Sequence, residues 1–600
     1  MSLVAYSLVF LVYAIIVFVA VTAWWRCVSK GLSKSARGQQ FTRYAIGSVL
    51  AVLPVAIIPD FRWNSAAIMA AVTGALWAAT FPTLTFITKR RRTSDIDNPI
   101  DFAAGLYIFS ALTAFTAGGC GAGASYLPLI LACVVEIAIL VVVIAQWGYF
   151  AMYGGAIDDT GMQIVADTNV NEVIEFTHAY PWYKTLAAVL VFAVAVAGVI
   201  AANSTENFAP VSVWQFIAEM ILWLVAVYLL FQKGKGAWYR SGIVKLFNDT
   251  RKYRRETARF LDGRAERLDK LNVKENGETI DGPQTILLVI GESASRDYMS
   301  AFSDVQEDTT PWMRAMAKDH PDNFVNIRHA YSCAFQTVPA LEQALTQKNQ
   351  YNGRPFADSI SIVDMAHKAG YRVTWLSNQG HIGVADTSVS IVAETSDNAE
   401  WTLQEVNKVC YDESLLDMLR EQVNPADKNF VVLHLKGSHF NFLNRYPASE
   451  TVWGEPGVQD NLVNYKNSLH YTDSVLKRAF EYCRDNLNLQ AMVYCSDHAT
   501  IPDKYRSPRF DGFGQSRIPL NVFMSESYLR RHPRRGEALQ ANREKFWTND
   551  LLYELMCGLF DLESPAFDEK ASLLSGEYRF TRQDLRTYLG TEPISNDPNP

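Results

Sequence analysis

The pattern of apolar and polar positions splits the chain near Phe231. A helix needs about 20 apolar residues to cross the hydrocarbon core of a bilayer. Before the split, residues 3–25, 45–58, 66–87, 126–149, 185–202 and 213–231 form apolar runs suited to spans. Residues 102–117 are shorter and rich in small side chains, which suits an interfacial or re-entrant element, so about six spans are expected. The first run lacks a basic leading region and runs into Trp24, Trp25 and Arg26, which reads as a retained anchor. Beyond the split, short apolar runs at 285–293, 371–378, 430–439, 491–498 and 518–524 alternate with helical stretches at 362–369, 413–422 and 469–483. Such alternation predicts a mostly parallel sheet covered by helices on both faces. The fold class is therefore an α-helical transmembrane domain plus an α/β soluble domain.

Basic loops set the orientation. Arg26, Lys30, Lys34, Arg37 and Arg43 follow the first run, and Lys89, Arg90, Arg91 and Arg92 follow the third. With both loops cytoplasmic, the soluble part lies outside if residues 102–149 cross the membrane an odd number of times. Residues 233–270 interleave Trp238, Tyr239, Leu246, Phe247 and Phe260 with many basic residues, as in a helix lying on a lipid surface. Residues 277–283 break that pattern. The expected organisation is a membrane domain at 1–232, an interfacial linker at 233–283, a catalytic domain at 284–580 and a tail at 581–600.

Composition adds two limits. The mean hydropathy of −0.01 averages two unlike halves, and a net charge of −7 argues against a nucleic-acid partner. The eight cysteines show no zinc-finger spacing. In an extracytoplasmic domain, Cys333, Cys410, Cys483, Cys495 and Cys557 allow one or two disulfides of undetermined pairing.

Candidate chemistry sits where the strands end. Ligands of α/β sheets gather beyond the carboxyl ends of the strands. The runs end in Glu292, in His439 and in Asp497–His498. An Asp-His pair after a strand is more often a structural turn, but carboxylates and imidazoles together at strand tips suit zinc. Residues 338–345 read as a helix with Pro339 in its first turn and Thr337 as the N-cap. A hydroxyl there sits in a field that favours an alkoxide and a phosphate.

At these residues the sequence resembles the phosphoethanolamine transferases of the alkaline-phosphatase/sulfatase superfamily, of the type that modifies lipopolysaccharide core or lipid A. The likeness rests on VIGES with Arg296–Asp297, DTTP at 308–311, the Thr337 segment, AGYRVTWLSNQ, HLKGSHFNFLNRYP and YCSDH. It implies an alkaline-phosphatase/sulfatase-like central sheet flanked by helices. It also implies a zinc ion, with manganese as the alternative, held by Glu292, Thr337, Asp497 and His498. Thr337 is then the nucleophile, and His439 contacts substrate phosphate or donates a proton. The element around Thr168 and Glu172 resembles the family's loop that approaches the ethanolamine group. The implied donor is phosphatidylethanolamine, and the acceptor is lipopolysaccharide or another envelope glycan. The implied setting is a monomer in a bacterial inner membrane, multi-pass, with its catalytic domain in the periplasm. The chain departs from the family after His498, where no further histidine follows within ten to fifteen residues; Arg506, Arg509 and Asp511 are the candidate replacements.

Three rivals share the motifs. A phosphodiesterase would send the intermediate to water, a phosphoglycerol transferase would recognise another head group, and a lipid-binding sensor would keep the fold without the chemistry. A sulfatase reaction is disfavoured, because Cys333 is followed by Ala334, Phe335 and Gln336 rather than by a Cys-x-Pro-x-Arg continuation.

Overall fold

The computed structural model describes residues 63–87, 98–124, 126–153, 182–204, 208–232, 258–275, 282–379, 387–402, 409–504 and 512–600, with minor gaps. The chain divides into two compact units, one holding the apolar helices and one running from Lys252 to Pro600.

In the first unit, five helices are α1 (Ser65–Ile87), α2 (Asn98–Gly121), α3 (Leu127–Tyr153), α4 (Trp182–Ala202) and α5 (Val213–Gln232). Among the described residues, Leu127–Ala151 is the one stretch both long and apolar enough to cross a membrane. Small residues let α1 and α2 meet closely: a Cβ on Gly74 would lie 2.4 Å from the Gly105 carbonyl oxygen. A buried polar pair joins Asn203, just past the end of α4, to α3: its Nδ2–H donates to Glu136 Oε2 at 2.6 Å. Residues 102–117 lie inside the unbroken 24-residue helix α2, a single helix rather than a chain that turns back on itself. Of the two long helices in residues 98–153, α3 is the one apolar enough to cross a membrane. The expected spans at 3–25 and 45–58 lie outside the described residues, as do Trp238, Tyr239, Leu246 and Phe247.

The second unit is built on a seven-stranded sheet. Its strands are β1 (Gln284–Gly291), β2 (Phe324–Asn326), β3 (Arg372–Ser377), β4 (Asn398–Trp401), β5 (Lys428–His434), β6 (Leu489–Ser496) and β7 (Leu520–Met524), in the order β2-β7-β6-β1-β5-β3-β4. All eight residues of β1 are buried, and both its neighbours run parallel to it, as a central strand covered on both faces requires. Alternation then feeds two cores. Ile286, Leu288 and Ile290 enter one, while Leu287 and Val289 enter the other. β7 departs from the expected parallel order and pairs antiparallel with β6. Among the described residues of the connection to β7 there is no crossover helix to carry the chain back across the sheet, and it re-enters from the same end.

The ends of this unit also differ from expectation. Phe260 is fully buried and stacks on Phe356 with centroids 4.5 Å apart. Helix α6 (Arg264–Lys270) docks through Arg264, whose guanidinium lies 2.7 Å from Asp364. Phe260 therefore faces the protein core rather than lipid. Residues 581–600 are not a free tail, since Leu585, Thr587, Ile594 and Asp597 are buried. Arg517 grips Asp597 with two guanidinium nitrogens, at 2.8 and 2.5 Å. The five cysteines of this unit are all free thiols, so the expected disulfides do not form. Cys333, Cys483 and Cys495 fall in different hydrophobic clusters.

Candidate active site

The parallel register brings the predicted residues together. Ile290 pairs with His434 and Gly291 with Ser496. Glu292, the loop after His434, and Asp497 therefore leave the sheet at one level. The turn after β1 places Ser293 at φ 60, and its backbone N–H donates to Asp497 Oδ1 at 3.0 Å. The His498 N–H donates to the same oxygen at 2.6 Å. Ser293 Oγ donates to Glu292 Oε1 at 2.5 Å. Ser496 Oγ accepts from the Ala294 N–H at 3.0 Å and donates to the His498 carbonyl at 2.9 Å.

Glu292, Asp497 and His498 are all buried and offer three ligand atoms within 4.8 Å of one another. His498 Nδ1 lies 3.0 Å from the Ala499 carbonyl, to which it donates; the tautomer follows from that bond. Its Nε2 then faces Glu292 Oε1 at 3.3 Å and Asp497 Oδ2 at 3.1 Å. A ring nitrogen lone pair converging with two carboxylates is the donor set of a cation such as zinc.

Thr337 joins this group. Its hydroxyl donates to Glu292 Oε2 at 2.9 Å. The helix α7 is Thr337–Ala344, with Gln336 as its N-cap. Thr337 is thus the first helical residue and not the cap, a shift of one position. The correction has a chemical meaning: the hydroxyl points to Glu292 instead of tying up its own helix's N–H groups. Thr337 is half-buried while Cys333, Ala334, Phe335 and Gln336 before it are buried, so the hydroxyl stands where the closed site meets solvent.

The loop after β5 is set by Asp412, which the sequence did not single out. Asp412 Oδ1 accepts from the Lys436 N–H at 2.7 Å and from Asn378 Nδ2–H at 2.8 Å, and its Oδ2 accepts from the Gly437 N–H at 2.8 Å. Burial raises its carboxyl above the usual range against these bonds. Gly437 at φ +50 packs on the Glu292 backbone, and the Ser438 N–H donates to the Glu292 carbonyl at 3.0 Å. His439 follows, half-buried on the same loop. Buried His434 is pulled down to about 4 by desolvation, against the pull of Glu292, and is a neutral wall of the site. Thr168, Glu172, Arg506, Arg509 and Asp511 lie outside the described residues.

Residues 284–556 match the family described as Sulfatase. The chain carries a sulfatase domain. Around that domain, the chain is 24% identical over 490 residues to phosphoethanolamine transferase EptC of Escherichia coli (strain K12), covering 75% of this chain and 83% of the relative. It is likewise 24% identical over 493 residues to phosphoethanolamine transferase CptA of Salmonella typhimurium, covering 75% and 83%. Among solved structures, the integral membrane protein lipooligosaccharide phosphoethanolamine transferase A of Neisseria meningitidis aligns with a TM-score of 0.56 at 17% identity, over 84% of this chain and 98% of that one. The fold of the sulfatase domain, with helices on both sides of its central sheet, is thus shared beyond its own 273 matched positions.

Proposed function

We propose that the protein moves phosphoethanolamine from phosphatidylethanolamine to lipopolysaccharide, at core heptose or lipid A, through a phospho-threonine intermediate on Thr337. The observation that carries this reading is the Thr337 hydroxyl 2.9 Å from Glu292 Oε2, beside the Asp497–His498 pair. The names of the EptC and CptA relatives support the head group.

Glu292, Asp497, His498 and Thr337 would hold zinc, or manganese in its place. When bound, the ion supplies positive charge against the phosphoryl oxygens and lowers the pKa of an oxygen it touches. The side chains do the rest. Glu292 orients the Thr337 hydroxyl and takes its proton along that hydrogen bond. Thr337 Oγ forms a bond to phosphorus as the bond to the diacylglycerol oxygen breaks. His439 gives that leaving oxygen its proton. In the second half an acceptor oxygen attacks phosphorus, Thr337 Oγ leaves and recovers its proton from Glu292, and His439 takes the acceptor's proton. Asp412 and Gly437 fix the loop that carries His439.

The test is intact mass after incubation with phosphatidylethanolamine vesicles. One phosphoethanolamine on the Thr337 peptide and released diacylglycerol are expected. A phosphoglycerol adduct from phosphatidylglycerol vesicles instead would assign the rival head group. Neither adduct nor diacylglycerol from any phospholipid would end the reading.

We place the protein in a bacterial inner membrane as a multi-pass monomer, its sulfatase domain on the periplasmic face. Lys318, exposed on a helix of that domain, gives the test. A Lys318→Cys variant should react with a membrane-impermeant maleimide in cells whose outer membrane alone has been opened. Reaction only after inner-membrane rupture would invert the topology.

A further inference from the structure

A short two-stranded ladder outside the main sheet reaches the nucleophile loop. Phe546–Thr548 runs parallel to His329–Tyr331, with Thr548 opposite Tyr331. The next residue on one side is Asn549, and on the other Ser332 and Cys333 lead to Thr337. Asn549 is 1% exposed. Its Oδ1 accepts from the Cys333 N–H at 2.8 Å. Its Nδ2–H donates to the Asp497 carbonyl at 2.6 Å. Ser332 Oγ lies 2.6 Å from the same carbonyl, and the Ser332 N–H is fixed to the Ser516 carbonyl at 2.7 Å. One side-chain amide thus bridges the backbone of the loop that presents Thr337 and the backbone of the turn that presents Asp497 and His498.

We propose that Asn549 is a positioning residue that sets the spacing between the Thr337 hydroxyl and the Asp497–His498 turn. The proposal rests on the reading of Thr337 as nucleophile. Asparagine suits the role because it sets a donating amide nitrogen and an accepting carbonyl side by side on a short, rigid fork. Aspartate has the same shape but no donor, so it would set a carboxylate oxygen against the Asp497 carbonyl. Alanine removes both bonds. The chemistry is sensitive to such changes, since a misplacement of about 1 Å costs on the order of 100-fold in rate.

A structural role must be separated from a positioning one. Asn542 provides the control. It is buried and its Nδ2 donates to two backbone carbonyls, Leu573 and Ser575, both at 2.9 Å, but it touches none of the site residues. The experiment uses the full chain in detergent with phosphatidylethanolamine micelles. It reads the single-turnover rate of phosphoethanolamine loading by intact mass, the donor concentration at half saturation, zinc per chain and the midpoint of denaturation. Asn549→Ala and Asn542→Ala should lower the midpoint alike. Asn549→Ala alone should slow loading by ~10- to 100-fold, with half-saturation unchanged and zinc retained. Asn549→Asp, which keeps the shape if the alanine variant does not fold, should slow loading similarly. Loading at the wild-type rate by Asn549→Asp, or equal slowing in Asn549→Ala and Asn542→Ala, would overturn the proposal. Failure of the nucleophile reading would show separately, as undiminished loading by Thr337→Ala.

Discussion

At the scale of single residues, the site depends on two backbone conformations that ordinary side chains avoid. Ser293 at φ 60 turns its N–H onto Asp497. Gly437 at φ +50 lies so close to Glu292 that an added Cβ would meet the Glu292 carbonyl oxygen at 2.8 Å and its nitrogen at 3.0 Å. Both contacts are to backbone, so no rotamer relieves them. Gly437→Ala should cost on the order of 1–3 kcal/mol and push Glu292 off its position. Metal analysis of the purified variant should then find less than one zinc per chain, and a full complement would count against the close approach. Thr337→Ser should retain part of the loading rate because it keeps the hydroxyl facing Glu292, while Thr337→Ala should abolish loading and keep the zinc. Glu292, Thr337, Asp497 and His498 could be picked out in the sequence because strand tips and a proline-marked helix start are local signals. Asp412 and Asn549 could not. Each acts by accepting or donating to backbone groups distant in sequence, and nothing in CYDES or WTNDL announces that.

Elements carry their own logic. The DTTP segment, a family signature in the sequence, proves to be a folding device. The Ser300 N–H donates to Thr309 Oγ1 at 3.1 Å, the Ala301 N–H to Thr310 Oγ1 at 2.9 Å, and Pro311 opens the helix Pro311–Asp319. The first N–H groups of that helix are met by a residue of another helix, Asn461–Asn486. Asp473 accepts from Trp312 N–H at 2.7 Å and Met313 N–H at 3.1 Å. Desolvation raises its carboxyl to about 7, opposed by those two bonds. A carboxyl whose pKa is higher folded than unfolded binds more protons in the folded state between the two values. Its contribution to stability therefore falls as pH rises from about 4 to about 7. Asp473→Asn keeps a cap without a charge. Denaturation at pH 5 and pH 8 should show a smaller loss on raising the pH in this variant than in the wild type, and an equal loss would mean that Asp473 does not titrate in this range. The five main strands were legible because buried parallel strands read as unbroken apolar runs. The direction of β7 was not, because apolar runs carry no record of which end the chain enters.

The whole second unit is closed by its C-terminus. Asp597 is 1% exposed, held by Arg517 and by the Tyr331 hydroxyl at 2.9 Å. Arg517 also pairs with Asp297 at 2.8 Å, so removing Asp597 should cost less than the ~3–5 kcal/mol of a wholly uncompensated buried charge. Asp597→Ala should still lower the denaturation free energy by more than the ~1 kcal/mol typical of a surface pair, and a smaller loss would show that the grip is slack. Thr587 Oγ1 donates to the Ser332 carbonyl at 2.6 Å, the Leu589 N–H to the Cys333 carbonyl at 2.8 Å, and Tyr588 stacks on Phe335 at 5.2 Å. These segments are hundreds of residues apart, and no periodicity in 581–600 reveals the pairing; polar composition alone reads as a tail.

That closure has a consequence in time. Residues 581–600 brace the loop ahead of Thr337 through partners far off in sequence, Thr587 and Ser332 lying 255 residues apart. Contacts across such separations are slow to form. The loop that carries Thr337 therefore settles only when the rest of the unit has already folded around it.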